Sequence, residues 1–389
     1  MSIKGKAYVM GAFEHPTREA PDKSVAQLHA ECARGALADA GLNKDDIDGY
    51  FCAGDAPGFG ALSMADYMGL RNLRHMDSTE TGGSSYILHV GHAAEAIAAG
   101  KCSVALITLA GKPRTSPPGG GRGGGGFAAA PEAAFEMPYG GTTHNQYAMC
   151  ATRHMHEFGT TSEQLAWIKV AASHHAQWNP HAFLKEVVTV DDVVNSPMIA
   201  TPLHRLDCCV VTDGGGALIV TSPEVAKQLD RPKVKVLGAG EAPKGTYGGK
   251  VDLTFTGAAW SGPKAFAEAG VKPSDIKYAS IYDSFTITVL MQLEDLGFCE
   301  KGRGGRFVAD GNLISGVGKL PFNTDGGGLC NNHPTNRGGI TKVIEAVRQL
   351  RGEAHPKVQV PSCDLAIAHG TGGSLGTRHG SATLIMERE

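Results

Sequence analysis

The sequence predicts an α/β protein built from two similar halves, on two observations. Apolar strand-like runs alternate with helix-like segments along the chain, the pattern of sheets covered by helices. The chain also repeats itself. Ala36-Leu37-Ala38-Asp39-Ala40-Gly41-Leu42, followed by Asp45-Asp46-Ile47-Asp48, returns as Ala265-Phe266-Ala267-Glu268-Ala269-Gly270-Val271, followed by Ser274-Asp275-Ile276-Lys277. A looser echo links Thr79-Glu80-Thr81-Gly82-Gly83-Ser84-Ser85 to Asn323-Thr324-Asp325-Gly326-Gly327-Gly328-Leu329. Each Gly-rich stretch leads into a helix-like segment (93–99, 340–350) and then an apolar strand (104–109, 365–368). Repetition of whole strand–helix units implies two half-domains packed together, with a site where their loops meet.

Taken in order, residues 1–11 have too short an apolar part for a signal peptide and read as a first strand. Residues 25–40 carry helical periodicity and stop at Gly41. Residues 47–52 read as a strand. An insertion then runs over about 111–206. Near its start Pro117-Pro118-Gly119-Gly120-Gly121-Arg122-Gly123-Gly124-Gly125-Gly126 is low in complexity, and no Gly-Lys-Ser/Thr follows, so it reads as a flexible loop rather than a phosphate cradle. Helical patterns follow at 147–157 and 162–178, the second opened by Thr161-Ser162-Glu163-Gln164. Residues 207–220 form a turn and a strand closing the first half, and 231–235 open the second. The expected halves are 1–222 and 233–389.

Composition narrows the function. At 389 residues and 42% hydrophobic, the chain can bury the core of two domains or of one large duplicated unit. A net charge of -3, without a long basic tract, argues against nucleic acid or an anionic membrane as partner. No apolar run approaches the about 20 residues a membrane span needs. The nine cysteines are scattered without a CxxC pair, as expected in a reducing cytoplasm. The histidines outside the motifs discussed next show no ligand spacing, and no metal site is expected.

Asp207 with Thr212-Asp213-Gly214, Tyr282-Asp283-Ser284-Phe285, Asn323 with Gly326-Gly327 and His333-Pro334, and His369-Gly370-Thr371-Gly372-Gly373 together resemble the thiolase superfamily. Within it the chain is similar to the sterol-carrier-protein-type thiolase-like branch. The resemblance covers essentially the whole chain. It implies a duplicated five-layer αβαβα thiolase fold with an inserted loop domain.

Thiolases use a cysteine at a helix N-terminus, where the dipole lowers its pKa, and a histidine that activates it. They add a polar positioning dipeptide and a second acid/base near a Gly-rich C-terminal loop. In this sequence the nucleophile position falls at Gly83, and no cysteine lies between Cys52 and Cys102. The resemblance maps the activating histidine to His333, after Asn332 where the family has glycine. The dipeptide becomes Tyr282-Asp283, and the fourth element maps to His369. Cys330 stands three residues before His333 as a possible displaced nucleophile.

Losing the thiol while keeping acid/base groups suggests chemistry without an acyl-enzyme. The motif resembles that of thiolase-like aldolases of bacterial steroid side-chain degradation, which lack the cysteine and use tyrosines. The implied reaction is retro-aldol cleavage of a coenzyme A thioester, with Tyr282 as base, helped by a protonated His333 or His369, and no tightly bound cofactor. The amides of the Gly82, Gly83, Ser84 and Ser85 turn are candidate oxyanion donors, with Gly372 and Gly373 a second source. Each residue also has a structural alternative. Gly82 and Gly83 can serve close packing, Ser84 and Ser85 helix capping, and Tyr282, His333, His369 and Cys330 the core. The alternatives in function are an acyltransferase (acyl transfer to CoA) and a non-catalytic acyl-CoA-binding subunit. By resemblance a homodimer is expected, with a small zinc-ribbon plus oligonucleotide-fold-like (OB-like) protein as a possible partner.

Overall fold

The structure, a computed structural model, describes residues 2–116, 142–245, 251–334 and 338–389. The 117–126 run lies outside these residues. The first half contains β1 (Tyr8–Glu14), α1 (Val25–Ala40), β2 (Gly49–Phe51), α2 (Ala61–Met68), β3 (His75–Asp77), α3 (Ser85–Ala98) and β4 (Val104–Gly111). The insertion supplies α4 (Thr143–Phe158), α5 (Ser162–Ala176) and a hairpin of β5 (Met198–Ala200) and β6 (Leu203–His204), before β7 (Gly214–Thr221). The second half contains β8 (Val234–Lys244), α6 (Ala258–Ala269), β9 (Tyr278–Ile281), α7 (Thr286–Asp295), α8 (Gly339–Arg351), β10 (Leu365–Ser374) and β11 (Thr377–Arg388).

The duplication is visible in strand order and direction. The first half runs β3-β2-β4-β7-β1 and the second runs β9-β10-β11-β8. In each, the closing strand (β7 or β11) pairs antiparallel with both neighbours, and the next pair (β4/β2 or β10/β9) is parallel. Even β3 has a counterpart, a parallel bridge from Phe322 to Ala279. The two half-sheets join through β1 and β8 at Tyr8↔Lys235 and Val9↔Val234, giving one nine-stranded sheet.

The sequence repeat is the contact between first strand and first helix. A Cβ on Gly11 would lie 2.3 Å from the Ala36 carbonyl oxygen, and one on Gly238 would lie 2.4 Å from that of Ala265. Ala36 and Ala265 open the two copies of the repeat. Small residues on both sides let helix and strand approach closely. Both helices end in left-handed glycines, Gly41 and Gly270.

Three apolar clusters define the layers. Met10, Tyr50, Leu106 and Ile219 pack beneath α1 and α2. Ile107, Val220, Ala366 and Leu384 pack on the two central helices, through Val90 and Ile97 of α3 and Val343 and Val347 of α8. Ile281, Ile367 and Ile385 pack under α6, α7 and the insertion helices α4 and α5. Helix, half-sheet, paired helices, half-sheet and helix make five layers. Among the described residues, no helix is long and apolar enough to cross a membrane.

Candidate active site

The C-terminal end of β9 meets the N-terminal end of α3. Gly83 sits in a 3-10 turn, Gly82–Ser84, that opens α3. A Cβ built on Gly83 would fall 2.5 Å from two ring carbons of Tyr282 and 2.3 Å from the Thr371 carbonyl oxygen, far inside contact distance. The Tyr282 ring therefore occupies the space of a side chain at position 83. Any side chain there, a cysteine included, collides with the tyrosine and with the β10 backbone.

The Tyr282 hydroxyl reaches His333 Nε2 at 3.0 Å, and the rings meet at 64° with centroids 5.6 Å apart. Both residues are buried. His333 follows a single π-helical turn, Gly327–Asn331. Two of that turn's amides, Gly328 and Leu329, donate to the Asp283 carboxylate at 2.8 and 3.1 Å. Lys342 Nζ of α8 donates to the same carboxylate at 2.8 Å, and both side chains are almost wholly buried. Below His333, Thr212 closes the frame: its hydroxyl donates to Asn332 Oδ1 at 2.8 Å and accepts the His333 amide at 2.9 Å.

Burial holds the Tyr282 phenol well above its ordinary value, with Tyr147, Cys209 and Asp283 adding to the effect. Burial pushes His333 down to about 4; Asp283 pulls it up and Lys342 pushes it down. At neutral pH the pair is thus neutral phenol and neutral imidazole. The expectation that a protonated His333 or His369 eases ionisation of Tyr282 is corrected here, because burial disfavours the imidazolium at both; His369 is pushed down to about 3.

His369 does not join the pair. Side chains alternate along a strand, and on β10 Ala366 and Ala368 face the central helices while Ile367 faces outward. His369 shares the outward parity. Its Nδ1 bonds Thr383 at 2.8 Å, and Thr383 in turn bonds Ser261 of α6. The residue facing Gly83 is Gly370, whose Cβ would lie 3.0 Å from the Gly83 oxygen.

The remaining predicted residues divide. Gly372 presses on the turn, since its Cβ would lie 2.7 Å from Gly82 Cα; Gly373 N lies 3.0 Å from a Cβ on Gly82. The Gly82 amide is taken by Glu80, whose carboxylate accepts from Gly82 and Gly54 at 2.6 Å each. Ser84 and Ser85 do not cap α3. The Ser84 hydroxyl donates to the Thr81 carbonyl at 2.9 Å, and Ser85 Oγ accepts the Thr81 amide at 2.8 Å. Asn332 is a brace, donating to Glu14 at 2.9 Å. Cys330 turns its thiol toward α5, where Lys169 Nζ donates to it at 3.1 Å, and burial raises its pKa. Among the described residues no cluster of His, Cys, Asp or Glu could hold a metal ion.

Two neighbours escaped the sequence reading. Tyr147 of α4 packs on Phe285, with ring centroids 4.4 Å apart and the planes tilted by 32°, and hydrogen-bonds Ser284. Lys342 stands in a helix whose faces are nearly all buried. A signal was present for Lys342, a lone lysine amid Ile340, Val343 and Ile344.

Comparison with known proteins gives one answer. Residues 241–388 match the thiolase C-terminal domain-like family. A steroid side-chain-cleaving aldolase of Thermomonospora curvata is 36% identical over 366 residues, covering 90% of this chain and 91% of the relative. An acetyl-CoA acetyltransferase of Methanothermobacter thermautotrophicus is 33% identical over 378 residues, covering 95% and 97%. The solved Ltp2-ChsH2(DUF35) aldolase superposes with a TM-score of 0.87 at 33% identity, over 99% of this chain and 98% of that one. With its duplicated sheet, its glycine-turned central helix and these relatives, the chain belongs to the thiolase superfamily, in the sterol-carrier-protein-like branch.

Proposed function

We propose that the protein cleaves a β-hydroxyacyl-CoA by a retro-aldol reaction, releasing a ketone or aldehyde and a shorter acyl-CoA, without an acyl-enzyme. The observation that carries this is the Tyr282 ring lying over Gly83, in the volume a nucleophilic side chain would need. The aldolase relative supports it.

In this reading the substrate hydroxyl gives its proton to Tyr282 Oη as Tyr282 passes its own to His333 Nε2. The relay spares the site a free phenolate, which a buried tyrosine cannot hold cheaply. The Cα–Cβ bond breaks, the hydroxyl-bearing carbon becomes a carbonyl, and the electron pair moves into the thioester enolate. That charge requires fixed donors. With the Gly82 amide committed to Glu80 and the Ser84 and Ser85 amides closing the 3-10 turn, the Gly83 amide at the α3 N-terminus and those of Gly372 and Gly373 are the candidates. Protonation of Cα returns the proton, and no oxidant or metal is needed for balance.

A second reading, acyl transfer to CoA, is favoured by the name of the methanogen relative. It requires an attacking thiol, either Cys330, which would have to leave Lys169, or that of CoA itself. The third, a non-catalytic acyl-CoA-binding subunit, leaves the buried phenol–imidazole pair without a purpose. We further propose a homodimer in the cytoplasm and a small zinc-ribbon/OB-like partner; the Ltp2-ChsH2(DUF35) aldolase supports the presence of a partner protein. The test is to incubate the protein with a panel of β-hydroxyacyl-CoA thioesters and analyse the products by chromatography and mass spectrometry. A carbonyl product with a shorter acyl-CoA is expected in the absence of free CoA. Products formed only when free CoA is supplied would overturn the reading.

A further inference from the structure

The buried ion pair beside the phenol–imidazole pair has no part in the proton relay, yet it is set against it. A Cβ on Gly328 would lie 3.1 Å from both Asp283 Oδ1 and His333 Cδ2, so carboxylate and imidazole flank the same glycine. Asp283 follows Tyr282 directly and holds the turn that leads to His333. An uncompensated carboxylate there would make the imidazole more basic, so that a proton taken from Tyr282 would be held on His333 rather than returned. Lys342 Nζ, on the central helix α8, meets Asp283 Oδ1, the oxygen that also takes the Gly328 amide, at 2.8 Å.

We infer that Lys342 is a positioning residue of the acid–base pair, cancelling Asp283 so that His333 stays a weak base that takes the Tyr282 proton and gives it back. The inference rests on the retro-aldol reading for its consequence but not for its electrostatics. Among the described residues, other charged or titratable groups around this centre include Tyr147 on α4, Lys169 on α5, Cys209 before β7, Asp325 and Cys330 around the π turn, and Glu14 at the end of β1 with its partners Arg18, which also bonds Asn331, and Arg348. Lys169 bonds the Leu329 carbonyl and Cys330, away from His333. Asp325 and Glu14 act on Lys342 and, with Asp283, hold its ammonium charged against the opposing effect of burial. Lys342 is therefore the cation that answers the charge beside His333.

The prediction has a sign for each variant. In Lys342→Met the His333 titration rises by about one unit or more, the usual size for an unscreened buried neighbour charge. In Asp283→Asn it does not rise. In the double variant Lys342→Met/Asp283→Asn it returns to within about half a unit of the parent, because the pair leaves together. The measurement is the imidazole titration by NMR on histidine-labelled full-length protein, with His333→Gln to assign the signal. The acid limb of kcat/KM is followed in parallel. If Lys342→Met is too unstable to purify, Asp283→Asn and the double variant still decide the matter. A rise in Asp283→Asn, or a double variant one unit or more above the parent, overturns the inference. So does a Lys342→Met protein that titrates like the parent. Should the protein cleave no β-hydroxyacyl-CoA while the NMR series behaves as stated, the retro-aldol reading fails and the role of Lys342 stands.

Discussion

The two halves share strand order but use their Gly-rich segments in opposite ways. In the first half, Gly82–Ser84 is a tight 3-10 turn that contributes backbone and empty space. In the second, Gly327–Asn331 winds as a π turn, framed by the carboxylate of Asp283 and leading to His333. One copy has no side chain at the point of closest approach, and the other carries the groups proposed to move protons. The two are sterically matched, since the Tyr282 ring fits only because position 83 is glycine. Duplication provided two equivalent loop sets, and divergence gave one the room and the other the chemistry.

Four perturbations break or sharpen this contrast, from largest to smallest. Tyr282→Phe removes the relay from the second half and should lower kcat by about 10²–10⁴. It should also cost about 1–3 kcal/mol of stability, because the buried His333 Nε2 loses its partner. A change below tenfold would move the chemistry elsewhere. Gly83→Ala fills the space in the first half. With Thr371 O and the Tyr282 ring at 2.3 and 2.5 Å from the new Cβ, it should cost about 1–3 kcal/mol of stability and most of the activity. Urea melts and rates on the same sample check this, and an alanine variant as stable and active as the parent would refute the matched fit.

The third perturbation is pH. His89, His175 and His333 are pushed by burial to about 4, and His369 and His379 to about 3, against an ordinary 6.5. Below pH 6.5 the unfolded chain takes up protons that these folded imidazoles refuse. Stability is fully present above 6.5 and falls as pH drops from 6.5 toward 4. Glu345, raised to about 7 chiefly by burial, works in the opposite sense and offsets part of the loss. Urea midpoints at pH 7, 5.5 and 4.5 should decrease in that order; a flat series contradicts the burial of the histidines. The smallest effects belong to the side chains that face away. Cys330→Ala and His369→Asn should each change kcat less than about tenfold, below the usual general acid/base range. A larger loss with a normal melt would bring that side chain back into the chemistry.

Much of the fold was legible because the repeat is itself a packing contact. Gly11 sits against the Ala36 carbonyl and Ala40 Cβ, and Gly238 against the Ala265 carbonyl and Ala269 Cβ, so both copies need small residues there and the pattern is visible in the sequence. Tyr282 and His333 stood out through their motifs. His369 misled because strands alternate, so a one-residue difference in register sends a side chain to the opposite face, and Gly370 takes the inward place. Lys342 was hidden by a rule that usually holds, that a lysine in a helix faces water. It fails for α8 because half-sheets and α3 cover that helix. Tyr147 lies about 135 residues before Tyr282, and only the packing of α4 on Phe285 brings it near.

The central claim is that cleavage proceeds without a covalent acyl-enzyme because Tyr282 holds the nucleophile's space. Intact-protein mass spectrometry during turnover, quenched in acid at short times with a β-hydroxyacyl-CoA that the protein cleaves, tests it most directly. The account predicts an unmodified protein mass at every time point while shorter acyl-CoA accumulates. An adduct of acyl mass that forms and decays with turnover, and disappears in Cys330→Ala, would contradict it.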